Sequence, residues 1–343
     1  MTLLKVDIRK KLSEYELEAS FEVSSAGFAL LGSSGSGKSM TLKCIAGVET
    51  PDEGIITLGD KVLFDSSKKI NVPSRKRKIG LLFQDYALFP NLTAFENIDL
   101  ICRDKERTRG LLRRFGIENA ADLRPDKMSG GQCQRTALAR MLASDPEVIL
   151  FDEPFSALDN YMHTLIEREI MDLLDSFEGP SILVSHDRNE VFRLCNRIGV
   201  IDKGKLTEIQ DKEDFFNSPL SVAAARLTGC KNITRLRSDG FAEDWGIRLN
   251  IPSGRIPEDI RYAGFRAHYF IRAGKEEKGT PGVFEAEVVR VIDDTFSRVI
   301  LFRQKGNPVN TSDSVLTYIT DKNADIEDLY LKTDPSRLMF FPR

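Results

Sequence analysis

The sequence has no run of the ~20 apolar residues that a membrane-spanning helix requires, and its first residues alternate in polarity where a signal core would be continuous. The polypeptide is therefore expected not to cross a bilayer itself, while remaining free to bind a protein that does. Its five cysteines, Cys44, Cys102, Cys133, Cys195 and Cys230, show no CxxC spacing, and without a secretory leader they read as reduced thiols in the cytosol. Neither charge sign dominates, since 49 Lys and Arg face 52 Asp and Glu, so no global field marks nucleic acid as a partner. Only three histidines are present. Any imidazole chemistry rests on His163, His186 or His268.

What is present begins with Gly32-Ser33-Ser34-Gly35-Ser36-Gly37-Lys38-Ser39, which follows the apolar run Phe28 to Leu31 and precedes a helical segment, Met40 to Ala46. Glycines at this spacing let successive backbone N–H groups turn inward around a polyphosphate. The lysine reaches the terminal phosphates, and the following serine hydroxyl suits Mg²⁺. Ahead of the loop, Leu4 to Ile8 and Leu17 to Val23 alternate with polar residues as two antiparallel strands would, with Tyr15 beside the turn as a candidate to stack on a nucleotide base. Ile55 to Phe64 reads as a hairpin around Gly59-Asp60. The basic run Ser74-Arg75-Lys76-Arg77-Lys78 reads as a solvated turn before the strand Ile79 to Phe83.

Gln84 stands at the end of that strand, placed to reach a ligand in the crevice of an open α/β sheet. From Asn91 to about Ala143 strand signals vanish and helical periodicity takes over, as in Glu106 to Phe115. Within that stretch Ser129-Gly130-Gly131-Gln132 opens a helix; a serine hydroxyl with bare N–H groups is a second anion-binding device. Val148 to Phe151 reads as a buried strand ending in Asp152-Glu153, carboxylates suited to Mg²⁺ and to an attacking water respectively. Ser181 to Ser185 is another apolar strand, and His186 at its tip is placed to contact a γ-phosphate.

Together these residues resemble the ATP-binding subunit of an ABC transporter over roughly the first 230 positions. Gly32 to Ser39 resembles the Walker A loop, Gln84 the Q-loop, and Ser129 to Gln132 the signature peptide. Asp152 with Glu153 resembles Walker B and its catalytic glutamate, Ser156-Ala157-Leu158-Asp159 the D-loop, and His186 the switch histidine. Met128 stands where leucine usually precedes the signature, and Met40 where the family usually has Thr; the first is a near-isosteric swap. The resemblance implies a P-loop NTPase fold: a RecA-like core with an antiparallel β subdomain and a helical insertion at about 87–145. It implies binding of ATP by Tyr15, the loop from Gly32 to Met40, Gln84, Ser129, Gly130, Gly131, Gln132 and Asp159. Mg²⁺ falls to Ser39, Gln84 and Asp152, and catalysis to Glu153, His186 and Lys38. Each ATP would lie between Lys38 of one copy and Ser129 of a second in a head-to-tail homodimer.

Beyond Cys230 the texture changes to short alternating runs, including Arg266 to Ile271, Phe284 to Ile292 with Phe296 to Phe302, and Val315 to Ile319. These predict a small OB/TOBE-like β-barrel over 231–343, following a cassette over 1–230. A barrel behind one cassette resembles importer ATPases, and Lys231 to Thr234 with Gly264 to His268 look most like the molybdate and sulfate subunits. The implied partners are a second copy, an integral membrane permease and, indirectly, an extracytoplasmic solute-binding protein, with no nucleic acid; the implied place is the cytoplasmic face of the membrane. An importer of sugar, polyamine or iron is the nearest alternative. A soluble ATPase acting on ribosomes or DNA would commonly carry two cassettes or a long coiled coil, and a small-molecule kinase would leave Ser129 to Gln132 and His186 without a role.

Overall fold

A computed structural model describes residues 2–25, 27–156, 158–251, 256, 259–324 and 326–342. The chain divides into two compact units, Met1–Lys212 and Glu213–Arg343. Residues 213–230, which the sequence reading joins to the cassette, belong with the second unit.

In the first unit β1 (Leu4–Lys11) and β2 (Glu16–Val23) pair antiparallel, Leu4 opposite Val23 and Lys11 opposite Glu16. Their alternation has the expected cause: Leu4, Val6, Ile8, Leu17, Ala19, Phe21 and Val23 are all buried. β3 (Phe28–Leu31) is buried on both faces and leads through the glycine loop into α1 (Lys38–Ala46). β4 (Glu53–Leu58) and β5 (Lys61–Asp65) form the hairpin around Gly59-Asp60, and β6 (Ile70–Asn71) extends it. β7 (Ile79–Leu82) is followed by three helices, α2 (Ala94–Cys102), α3 (Lys105–Arg114) and α4 (Gly130–Leu142). The helical insertion thus holds no strand among the described residues. Then come β8 (Val148–Asp152), α5 (Asn160–Ser176), β9 (Ser181–Val184), α6 (Arg188–Leu194), β10 (Arg197–Asp202) and β11 (Lys205–Asp211).

These strands make one sheet in the order β6-β5-β4-β1-β2-β11-β10-β3-β9-β8-β7. From β10 to β7 every pairing is parallel. The carboxyl ends of β3, β9, β8 and β7 therefore lie side by side, and ligands of open α/β sheets bind outside such ends.

The basic run before β7 departs from the expected solvated turn at one residue. Arg77 is only 2% exposed. Its guanidinium donates to the carbonyls of Cys44 (2.9 Å) and Ile45 (2.8 Å) in the last turn of α1, to Val72 O (2.7 Å) and to Asn71 Oδ1 (2.9 Å). An arginine is the one cation that satisfies several unpaired helix-end carbonyls at once. Gly47 makes room for it, since a Cβ there would stand 2.5 Å from Arg77 Nε. The helix behind the glycine loop is thus anchored at its far end by a residue whose neighbours are the solvated ones.

The second unit carries two short helices, α7 (Lys212–Asn217), which crosses the division, and α8 (Val222–Leu227). The rest is β structure: β12 (Asn232–Arg235), β13 (Phe241–Ala242), β14 (Ile247–Arg248), β15 (Tyr262–Phe265), β16 (Ile271–Arg272), β17 (Val283–Asp293), β18 (Ser297–Gln304), β19 (Leu316–Asp321), β20 (Tyr330–Lys332) and β21 (Met339–Phe341). They form an antiparallel five-stranded sheet β16-β20-β17-β18-β19, a three-stranded sheet β12-β15-β21 and the hairpin β13-β14. A curled antiparallel arrangement of this kind is compatible with an OB/TOBE-like domain. Its core centres on Phe270, whose ring meets Phe265, Phe284 and Phe302 edge-on at centroid separations of 4.9, 5.7 and 5.5 Å.

The strand expected over Arg266 to Ile271 is not formed. β15 ends at Phe265, and the chain turns with Tyr269 N–H donating to Arg266 O at 3.0 Å. Phe265 and Phe270 both enter the core, which an unbroken strand, placing odd and even residues on opposite faces, would forbid. The Arg266 guanidinium is engaged internally by the carbonyls of Thr228 (2.9 Å) and Phe216.

Candidate functional site

The glycine loop builds a cradle before any ligand is considered. Gly35 (φ 78°) and Gly37 (φ 107°) hold left-handed backbone that other residues avoid, and Gly37 caps α1. The first N–H groups of α1, which include those of Ser39 and Met40, have no intrahelical acceptor and face the loop. The Met40 side chain turns the other way and packs against the core, so any part it plays at the site falls to its backbone. The Ser36 hydroxyl is buried with no hydrogen-bond partner among the described residues. Lys38, 5% exposed, donates to the carbonyls of Gly32 (3.0 Å) and Ser33 (2.8 Å), which folds its ammonium back under the loop with Ser34 at the bend. Burial holds its pKa below the usual lysine value, against the pull of Glu153 and Asp152. Tyr15 leans over the same loop, its hydroxyl donating to Gly35 O.

The tips of β8 and β9 add the carboxylates and the imidazole. Asp152 is the last residue of β8, and its Oδ1 accepts from Ser39 Oγ at 2.6 Å. Burial pushes the Asp152 carboxyl above the usual range, while the Ser39 bond, Lys43 and Lys38 oppose the shift. Glu153 takes a left-handed φ of 45°, a conformation that costs a non-glycine residue of order 1–3 kcal/mol, and its N–H donates to Val184 O at 2.9 Å. That turn aims its carboxylate at the next strand, where Oε2 lies 3.3 Å from His186 Nδ1. A cavity of about 600 Å³ is lined by Ser39, Lys43, Phe83, Gln84, Asp85, Asp152 and Ser156. Lys38, Ser39, Gln84, Asp152, Glu153 and His186 are thus brought together at the strand ends.

Among the described residues no cluster of three or more His, Cys, Asp and Glu forms a metal site. The hydroxyl of Ser39, the carboxylate of Asp152 and the amide of Gln84 are hard oxygen donors. That set suits Mg²⁺, which keeps waters and phosphate oxygens in its remaining positions.

Ser129, Gly130, Gly131 and Gln132 are not drawn into this crevice. They form the start of α4, where Gln132 N–H donates to Ser129 Oγ (3.3 Å) and Ser129 N–H to Gln132 Oε1 (2.9 Å), a reciprocal cap at a helix end where Ser129 and Gly130 are exposed and the first N–H groups have no intrahelical acceptor. Asp159 caps α5, accepting from Met162 N–H at 2.9 Å. Ala157, part of the expected D-loop, lies outside the described residues.

Three supporting residues escape sequence reasoning because their partners are backbone groups, which carry no residue identity. Arg140, in the last turn of α4, donates to the carbonyls of Ala87 (2.7 Å) and Tyr86 (2.8 Å), and its guanidinium lies 5.5 Å from the Phe89 ring centroid. It thereby holds the segment after Gln84, where Tyr86 (φ 61°) and Ala87 (φ 43°) are left-handed. Asn97, fully buried, fixes the next stretch through Phe89 N–H (2.9 Å) and the carbonyls of Phe89, Leu92 and Thr93. Gln134 donates to Pro154 O at 2.7 Å, tying α4 to the turn after Glu153.

The profile of the family described as "ABC transporter" matches residues 19–156. The chain is 31% identical over 315 residues to the "Glucose import ATP-binding protein GlcV" of Saccharolobus solfataricus, covering 85% of this chain and 88% of that protein. It is 37% identical over 238 residues to the "Molybdenum import ATP-binding protein ModC" of Mycobacterium tuberculosis, covering 66% of this chain and 64% of that one. Other relatives carry names for import of iron(III), trehalose/maltose and spermidine/putrescine. Among solved structures, a dimeric post-hydrolysis ATP-binding cassette bound to ADP and Pi matches with a TM-score of 0.53 and 28% identity, over 62% of this chain and 99% of that one. No helix of the described residues is long and apolar enough to cross a membrane.

Proposed function

Since the chain belongs to the ATP-binding import subunits of ABC transporters, ATP hydrolases coupled to transport, we propose that it energises uptake of an oxyanion, molybdate, tungstate or sulfate, from the cytoplasmic face of the membrane. The observation that carries the hydrolytic reading is the convergence of Lys38, Ser39, Gln84, Asp152, Glu153 and His186 outside four adjacent parallel strands. Lys38 and the loop N–H groups hold the β- and γ-phosphates, and the unpartnered Ser36 hydroxyl gains an acceptor there. Ser39, Gln84 and Asp152 hold Mg²⁺ and its waters; the chemistry Mg²⁺ supplies when bound is neutralisation of phosphate charge. Glu153 orients and polarises the attacking water, and His186, 3.3 Å from it, contacts the γ-phosphate and senses its loss.

The exposed end of α4 supports a second half-site supplied in trans. Ser129 to Gln132 of one copy close over the nucleotide held by Lys38 of the other, with Asp159 at the junction and Tyr15 against the base. Closure by ATP and opening after hydrolysis reach a permease through Gln84 and the segment that Arg140 and Asn97 hold. The molybdenum relatives favour an oxyanion cargo, and the glucose, iron, maltose and polyamine relatives keep those solutes as the second reading.

Glu153→Gln tests the hydrolytic assignment. Hydrolysis is expected to fall by about 10²-fold or more with ATP still bound, as for loss of a general base; a native rate would show that Glu153 has no such role. Cargo is tested by purifying the chain with its permease and asking which candidate binding protein, loaded with which solute, stimulates ATP hydrolysis.

A further inference from the structure

The loop that presents His186 is held from behind by polar groups that the reaction above does not use. Ser185, 1% exposed, directs its hydroxyl hydrogen to Oε2 of Glu190, and Ser185 Oγ itself accepts the N–H of Asp187 at 2.9 Å. The Asp187 carboxylate in turn accepts from Asn189 N–H at 2.7 Å and caps α6. The residues on both sides of His186 are therefore fixed through one hydroxyl and, behind it, one carboxylate. His186 itself is 68% exposed in its side chain, so its direction is set by its backbone and not by packing.

Glu190 is 7% exposed, and a carboxylate so placed is tolerated only when its oxygens are satisfied. Its second oxygen, Oε1, lies 2.8 Å from Nε2 of His163 on α5. The other ring nitrogen of His163 is 3.8 Å from Glu167 Oε2, Glu167 is paired with Arg193 of α6, and the imidazole lies against Phe155 with centroids 4.8 Å apart. His163 N–H donates to Asp159 O at 2.9 Å. One buried carboxylate thus joins the His186 loop to the first turn of the helix that starts after Asp159.

From this geometry we infer that Glu190 is a positioning residue for His186: through Ser185 it sets the direction of the imidazole toward Glu153, and through His163 it makes that direction depend on the placement of α5. The inference rests on the role given to His186 above.

The test is steady-state ATP hydrolysis by the full chain carrying Glu190→Ala, Glu190→Gln or Ser185→Ala, each alone and combined with His186→Ala. Because a misplacement of the order of 1 Å costs up to about 10²-fold, Glu190→Ala is expected to lower kcat by about 10-fold or more while KM for ATP stays within about 2-fold. Glu190→Gln still accepts from Ser185 and recovers most of the rate. Once His186 is alanine there is no imidazole to aim, so adding Glu190→Ala lowers the residual rate by less than about 2-fold. Full additivity in that double variant, or parallel movement of kcat and KM, would mean a general structural role and overturn the inference. So would a native kcat in Glu190→Ala beside a slow His186→Ala. If His186→Ala itself hydrolyses at the native rate, the reading of the site fails, and this inference with it. Should Glu190→Ala not fold, Ser185→Ala removes the same link from the loop side, and the same non-additivity with His186→Ala decides.

Discussion

Ser39 donates to Asp152 across 2.6 Å, which joins the first turn of the loop helix to the tip of a central strand and puts two candidate magnesium ligands in direct contact. The carboxylate pays for that position, since burial holds its pKa above the usual range even with the serine bond in place. A carboxyl raised in the folded state favours folding below the ordinary carboxylate range and loses that contribution as pH rises through its elevated pKa. Asp152→Asn is therefore expected to be more stable than the native chain without nucleotide at neutral pH, by roughly 2 °C or more in Tm, with the gap closing toward about pH 4. ATP with Mg²⁺ then raises Tm of the native chain and much less that of the variant, because a ligand stabilises only the state that binds it. Thermal melts from pH 4 to 8 decide; a gap independent of pH would show that burial of the charge is not the cause.

Arg77 predicts the opposite balance. Removing its side chain strands the carbonyls of Cys44, Ile45 and Val72, and Arg77→Ala is expected to cost about 3 kcal/mol or more and lower Tm by roughly 6 °C or more. Arg77→Lys restores little, because one ammonium cannot reach three carbonyls from the guanidinium's position. Since α1 carries Lys38 and Ser39 at its other end, ATP affinity falls with stability. A variant as stable as the native chain would sink this account.

Residues proposed to face a ligand were legible in the sequence, and residues that hold those residues were not. Lys38 and Ser39 close a glycine motif at the start of α1, and Gln84, Asp152, Glu153 and His186 stand at or just past strand ends, where a break in hydrophobic pattern exposes them to inspection. Arg77 sits inside a run of cations and differs from its neighbours only by partners that approach from α1 and from residues 71 and 72. Arg140 meets carbonyls 53 and 54 residues away, and backbone acceptors carry no residue identity by which to find them. His163 reads as one more helix residue until α6 brings Glu190 to it. The turn at Arg266 to Phe270 departs from the expected strand for a related reason: alternation alone does not say that Phe265 and Phe270 share one core.

The Arg140 contacts give a prediction that separates hydrolysis from transmission. Arg140→Ala frees the carbonyls of Tyr86 and Ala87, at residues whose left-handed backbone needs external support, while touching none of the groups proposed to bind phosphate. Basal hydrolysis is expected to stay within about 3-fold of native, with stability lower by about 1–2 kcal/mol. Stimulation by the permease should largely disappear. ATPase assays with and without reconstituted permease read both quantities, and undiminished stimulation would show that this segment does not carry the signal.

The trans half-site makes the most direct prediction, because it concerns which residues share a nucleotide. Lys38→Met removes the phosphate-binding cation. Ser129→Asp keeps the cap on α4, since aspartate also accepts from Gln132 N–H, but sets a negative charge against the γ-phosphate. Each variant alone is expected to be nearly inactive. If each site takes Lys38 from one copy and Ser129 from the other, a mixed dimer concentrates both defects in one site and leaves the second site intact. Half the dimers in an equal mixture are mixed, so about a quarter of native sites should reappear on mixing. A site built within a single chain cannot be rescued this way, because every chain in the mixture carries a defect. Dilution adds an independent arm: specific activity should fall as dimers separate, while ATP binding by Lys38 and the loop persists. Activity that neither returns on mixing nor falls on dilution would make Gly32 to Ser39 a self-sufficient phosphate site and leave the exposed end of α4 without a ligand.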